Sequence, residues 1–218
     1  MSQPDLITLT DPRSPVSEAY RTLRTSLEFS SLDHPLRSLL VTSPAANADR
    51  SITLANLAVI MAEGGRSVIL VDGDLRRPAL HEIFGVNNDT GLSDLFHQDL
   101  AAVQVQDSGI VGLRLLTAGA LPANPSILLG SARMKEIVST LTGQADLVLF
   151  GAPPVIAVTD AALLAAHVDG TLLVIRAGST QREHVQQAKT LLEKVNAHIV
   201  GAVLSNASLD SSISSYYK

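Results

Sequence analysis

The chain has 218 residues, enough for one sizeable core, with no cysteine and a formal net charge of −5. The charge excludes a global basic field for nucleic acid or anionic lipid, and the missing thiols exclude disulfides, thiolate catalysis and cysteine-based metal sites. Apolar residues make up 46%, charged residues 17% and aromatics 3%, so the core is built from aliphatic side chains, as in a parallel sheet buried on both faces.

Positions 1–15 are polar and contain prolines, with no apolar run of signal-peptide or membrane-span length. They predict a cytoplasmic chain without direct membrane insertion, recruited to the inner face of a membrane only through a partner. The expected division is an N-terminal segment (1–14), a single domain (15–207) and a flexible tail (208–218). A helix is predicted over 15–30, opened by the cap-like pair Ser14-Pro15, with Glu18, Arg21 and Arg24 along one side. Short apolar runs at 38–41, 67–71, 113–116, 147–150, 171–175 and 199–204 read as buried strands. Helix-length segments fall at 53–63, 126–141, 160–166 and 182–195. This alternation predicts an α/β fold with a doubly wound, mostly parallel sheet flanked by helices. Ligands in such sheets sit at the carboxyl ends of the strands. The Ser-rich end, closing with Tyr216-Tyr217-Lys218, has too little apolar content to pack.

The segment after the first strand runs Ala46-Asn47-Ala48-Asp49-Arg50-Ser51-Ile52 and leads into a helix. That is the place for a phosphate loop, whose backbone N–H groups converge on an anion at a helix N-terminus. Such a loop needs glycines, because Cβ atoms obstruct the approach, and the pattern Gly-Lys-[Ser/Thr]. Here the three positions are Asp49, Arg50 and Ser51, and only the serine fits.

Several segments together carry a family resemblance. They are Glu18-Ala19-Tyr20-Arg21-Thr22-Leu23-Arg24, Val71-Asp72-Gly73-Asp74-Leu75-Arg76-Arg77-Pro78, Ala118-Gly119-Ala120-Leu121-Pro122-Ala123-Asn124-Pro125, Pro153-Pro154-Val155 and Thr159-Asp160-Ala161. From about residue 10 onward the chain resembles the bacterial tyrosine kinases of capsule and exopolysaccharide synthesis, P-loop proteins related to the ParA/MinD group. Its start looks like that of free-standing members whose membrane activator is a separate protein.

The resemblance implies that Asp72 and Asp74 occupy the family's second acidic motif, which serves magnesium and the attacking tyrosine hydroxyl. Ser51 and Asp72 would be the magnesium contacts. The family's Pro-Gly-Glu-Gly-Lys-Ser-Thr loop is altered at Asn47, Asp49, Arg50 and Ile52, and its later Asp-Thr-Pro-Pro motif begins here with Gly151. A carboxylate such as Asp49 about 4 Å from phosphate is opposed by on the order of 4 kcal/mol at an effective dielectric of about 20. Arg50 keeps a positive charge with different reach and geometry, and Asp49 and Arg50 are adjacent enough to offset one another. Val203-Leu204-Ser205 stands for the family's Val-Leu-Asn near the adenine, with Asn206 one place late.

Glu18, Arg21 and Arg24 fit the family's Glu-x-x-Arg-x-x-Arg motif, which implies ion pairing between subunits of a homo-oligomer. An ordinary solvated charged face is the other reading. Tyr216 and Tyr217 take the place of the family's phosphorylated tyrosine cluster, or form a plain polar tail. His81, His97, His167, His184 and His198 show no metal-ligand spacing.

The replaced loop predicts a catalytically inactive pseudokinase. It would act through contacts with a membrane polysaccharide co-polymerase-type activator or an active kinase paralogue. The alternative is an active ATP-dependent tyrosine autokinase using ATP and Mg2+ with an atypical loop. A ParA/MinD-like positioning ATPase is a third reading, opposed by the tyrosine tail and the charged helix.

Overall fold

A computed structural model describes residues 5–30, 35–46, 49–100 and 103–208. Seven strands form one sheet: β1 (Ser38–Thr42), β2 (Val68–Asp72), β3 (Gln106–Ile110), β4 (Leu113–Leu116), β5 (Leu147–Gly151), β6 (Gly170–Arg176) and β7 (Ile199–Ser205). Their order is β3-β4-β2-β5-β1-β6-β7. Every pairing is parallel except β3 with β4. The six predicted strands are all present. The seventh, β3, escapes detection because Gln106-Asp107-Ser108-Gly109-Ile110 is a polar edge segment without an apolar run.

The helices are α1 (Ile7–Thr10), α2 (Pro15–Ser30), α3 (Arg50–Glu63), α4 (Leu80–Phe84), α5 (Pro125–Leu129), α6 (Ala132–Thr142), α7 (Asp160–Ala165) and α8 (Arg182–Glu193). A single helix expected over 126–141 is two. Gly130 ends α5 with its N–H on the Ser126 carbonyl, and its Cα lies so near Leu163 that a Cβ would stand 3.2 Å from that side chain. The packed body also begins ahead of Pro15, because Leu6 and Thr8 are fully buried. Thr8 donates through N–H and Oγ1 to Asn56 Oδ1 (3.1 and 2.8 Å), tying α1 to α3.

Strand alternation sorts the core into two layers. Leu40, Ile69, Val71, Val148 and Phe150 face the layer that includes residues of α6, α7 and α8. Leu39, Val41, Val68, Leu70, Leu147 and Leu149 face the layer that includes α3 and α4. Full burial of one such side chain stabilises by about 1.5–3 kcal/mol. Helix α3 is buried continuously from Thr53 to Ala62, because the sheet covers one side and α1 and α2 the other. It is the interior rod of the domain, and its first turn opens onto the ends of β1, β2, β5 and β6.

A tight loop closes the β4 side. Leu92 and Ser93 donate backbone N–H to Thr117 and Ala118 carbonyls (2.7 and 2.9 Å), pressing Gly91 onto the 117–119 backbone. A Cβ on Gly91 would lie 2.1 Å from the Thr117 oxygen and 2.4 Å from the Gly119 nitrogen. Backbone on both sides cannot yield as a side-chain tip would. Gly91→Ala is therefore expected to destabilise by about 3 kcal/mol or more, read as a lowered urea midpoint with unchanged slope.

Candidate functional site

Asp72 ends β2 and is 3% exposed. Its Oδ2 accepts N–H bonds from Ala79 and Leu80, both at 2.9 Å, and its Oδ1 accepts from Asp74 N–H at 3.2 Å. The carboxylate thus organises the loop from β2 to α4. Burial pushes its pKa up to about 6, outweighing the three backbone bonds that favour the charged form.

Asp74, 6% exposed, divides its two oxygens. Oδ1 accepts from the backbone of Arg76 and Arg77 (3.2 and 2.9 Å), while Oδ2 meets Arg50 Nη2 at 2.7 Å. Arg50 Nε donates to the Ala152 carbonyl at 3.0 Å. Arg50 is thereby held on the loops after β2 and β5. Its neighbour Asp49 does not offset it: Asp49 Oδ1 pairs with Arg176 Nη1 at 2.8 Å, at the end of β6. The adjacent charges expected to compensate one another are each claimed by a different strand end.

Arg50, Ser51, Asp72, Asp74 and Gly151 line one cavity with Val41, Leu54, Leu80 and Ala152. Its volume is about 10 Å³, room for about one water. The space above Gly151 belongs to Leu54, whose Cδ2 would be 2.8 Å from a Cβ built there. Leu54 is 1% exposed, so a side chain at 151 requires the tip of a packed leucine to shift. Ile52 points elsewhere, 45% exposed, into a groove of about 690 Å³ shared with Tyr20, Asp49, Val203, Leu204, Ser205 and Asn206. Asn47 lies outside the described residues, as do Tyr216 and Tyr217.

The candidate assembly residues lie on α2 against the far end of α3. Arg21 bonds Glu18 and the Pro12 carbonyl and stands 3.9 Å from Glu63; Arg24 donates to the Ile60 carbonyl at 3.0 Å. The Ile60 carbonyl also accepts the Gly64 N–H at 3.2 Å, so Arg24 adds a second donor at the last turn of α3, where a cation is favoured by the helix dipole.

Two contacts were not assigned from sequence. Arg76 makes a two-point bond to Asp160 (2.8 and 3.0 Å), neutralising a carboxylate that is 0% exposed at the start of α7. Arg176 was hidden at the end of an apolar run. A charged residue closing a buried strand, beside the sheet's ligand edge, is the signal that would have singled it out.

These features define a P-loop-type α/β domain with an ion-paired phosphate corner. No family model matches the chain. Tyrosine-protein kinase YwqD of Bacillus subtilis (strain 168) is 39% identical over 208 residues, covering 95% of this chain and 88% of that protein. The kinase domain of Escherichia coli tyrosine kinase ETK superposes with a TM-score of 0.90 at 31% identity, covering 97% of this chain and 84% of that one. The septum site-determining protein MinD of Pyrococcus horikoshii OT3, at 22% identity and a TM-score of 0.65, shares the fold. The chain belongs to the bacterial tyrosine kinase family. The mostly parallel sheet expected from its sequence is the fold of that family.

The raised pKa of Asp72 sets a pH dependence. The folded value lies above the unfolded one, so its stabilising effect is full below 3.8 and is lost as pH rises to about 6. A shift of this size corresponds to on the order of 3 kcal/mol. Urea midpoints should show a component falling with pH across that window in the wild type. Asp72→Asn should lack it, although its absolute stability is lower because Asn cannot accept all three backbone bonds.

Proposed function

We propose that this chain is a non-catalytic member of its family, a pseudokinase of capsule or exopolysaccharide regulation that works through protein contacts. The observation that carries the reading is Arg50 held against Asp74 inside a cavity of about 10 Å³. ATP and Mg2+ do not fit the residues present. Asp74 is paired with Arg50 and Gly151 supplies no carboxylate, which leaves Asp72, with three of its acceptor sites already on backbone N–H groups. A hard cation would need those oxygens, and a triphosphate would need that guanidinium.

The catalytic role inherited by Asp72 and Asp74 is thus replaced, in this reading, by loop ordering and charge pairing. The proposed partners are a membrane co-polymerase-type activator and an active paralogue that phosphorylates Tyr216 and Tyr217, each site gaining up to about −2 charge. Self-assembly would use the α2 face. Glu18 and Arg21 keep 41% and 28% of their side chains exposed, so they remain accessible to a second copy despite their contacts within the chain. The proposed working unit is residues 15–207, preceded by the segment 1–14, of which Leu6 and Thr8 are buried against it, and followed by 208–218 as a regulatory tail. The proposed location is the cytoplasm at the inner membrane face; no helix among the described residues is long and apolar enough to cross a membrane.

The alternative, an active tyrosine autokinase, draws on Ser51, Asp72 and Asp74 sharing one cavity. It requires Arg50 to leave Asp74.

Titration of a fluorescent ATP analogue with Mg2+ separates the two. No saturable binding is expected; magnesium-dependent micromolar binding would overturn the pseudokinase. Restoring Asn47→Gly, Asp49→Gly, Arg50→Lys, Ile52→Thr and Gly151→Asp together is expected to recover binding, more strongly when Leu54→Ala is added. The Leu54 side chain otherwise occupies the space above residue 151.

A further inference from the structure

Helix α3 is held at both ends by arginines, and the two ends serve different parts of the molecule. At its first turn, Arg50 reaches Asp74 (2.7 Å) and the Ala152 carbonyl (3.0 Å), and Arg176 reaches Asp49 (2.8 Å). These contacts join α3 to the ends of β2, β5 and β6. At its last turn, Arg24 of α2 donates to the Ile60 carbonyl at 3.0 Å, and Arg21 lies 3.9 Å from Glu63. Tyr20 of α2 and Thr53 of α3 line the same groove nearer the first turn. Between the ends every residue from Thr53 to Ala62 is buried. A rod so packed moves as a unit, because close-packed interiors transmit displacement rather than absorb it.

In a phosphate loop, a bound anion ties the helix N-terminus to the neighbouring strand ends. Here the chain's own carboxylates sit opposite its own guanidiniums at the same corner. The two pairs differ in weight. Arg50–Asp74 has side chains 18% and 8% exposed, so water and salt screen it little. Arg176–Asp49, at 36% and 42%, is shared with solvent and is the weaker member.

We propose that Arg50–Asp74, assisted by Arg176–Asp49, is an internal lock. It takes the place of a ligand in fixing α3, and through α3 it sets the position of α2 and its Glu18, Arg21 and Arg24 face. The idea rests on the reading that the site takes no nucleotide. It makes Arg50 and Asp74 positioning residues for a surface at the far end of α3. The α2 face then keeps one arrangement whether or not ATP is present, unlike a surface gated by nucleotide.

Amide hydrogen exchange on the full chain tests this. Relative to wild type, Arg50→Ala/Arg176→Ala should speed exchange at least about tenfold in the first turn of α3. It should do the same at residues 60–64 and along α2, leaving the β3–β4 hairpin unchanged. Acceleration confined to residues 49–53 would overturn the lock, since a local ion pair would loosen only its own turn. No acceleration would overturn it equally. Asp49→Asn/Asp74→Asn neutralises the same pairs with both arginines retained, and must give the same two-ended pattern. It decides the matter if the arginine variant does not fold. The two ideas fail separately. Protection of the wild type by ATP and Mg2+ would remove the pseudokinase reading, whereas the lock falls only on the exchange pattern of the variants.

Discussion

Arg50 is the side chain on which the sheet's ligand edge depends. Its guanidinium joins the first turn of α3, the carboxylate of Asp74 after β2 and the carbonyl of Ala152 after β5. Because Asp74 is almost fully buried, its charge requires a partner inside the protein, and Arg50 is the cation that meets it. The pairing is also what leaves the corner closed. A guanidinium is planar and always charged, so it can satisfy a carboxylate and a carbonyl at once where a lysine offers a point charge.

Around that contact the acidic residues divide their work. Asp72 spends its oxygens on the backbone leading to α4, and burial raises its pKa. Asp160 is fully buried and relies on the two-point contact from Arg76. Leu54 completes the closure from the apolar side by filling the space above Gly151. Arg50, Asp74, Leu54 and Gly151 thus meet around one small volume, filled by a leucine and an ion pair.

Much of the architecture was legible because its signals are local. Six strands announce themselves as aliphatic runs; five of them are largely buried, and β7 keeps its apolar run although it is a partly exposed edge strand. β3, at the opposite edge, is polar and has no such run to mark it. The split between α5 and α6 was obscured because a glycine and a serine interrupt an otherwise helical pattern without a proline to mark the break. Of the candidate site residues, Arg50, Ser51, Asp72, Asp74 and Gly151 line a single cavity, Asp49 and Ile52 line the neighbouring groove, and Asn47 lies outside the described residues.

By itself the sequence determined the fold class and the family, because periodicity and motif order are properties of one dimension. Tertiary structure alone decided who pairs with whom. Asp49 and Arg50 are neighbours in the chain, yet a helix's first turn splays consecutive side chains apart. One therefore meets Arg176, 127 residues away, and the other meets Asp74, 24 residues away. The same holds for Leu54 above Gly151 and for Arg24 on the end of α3. Each depends on elements that only the folded sheet brings together.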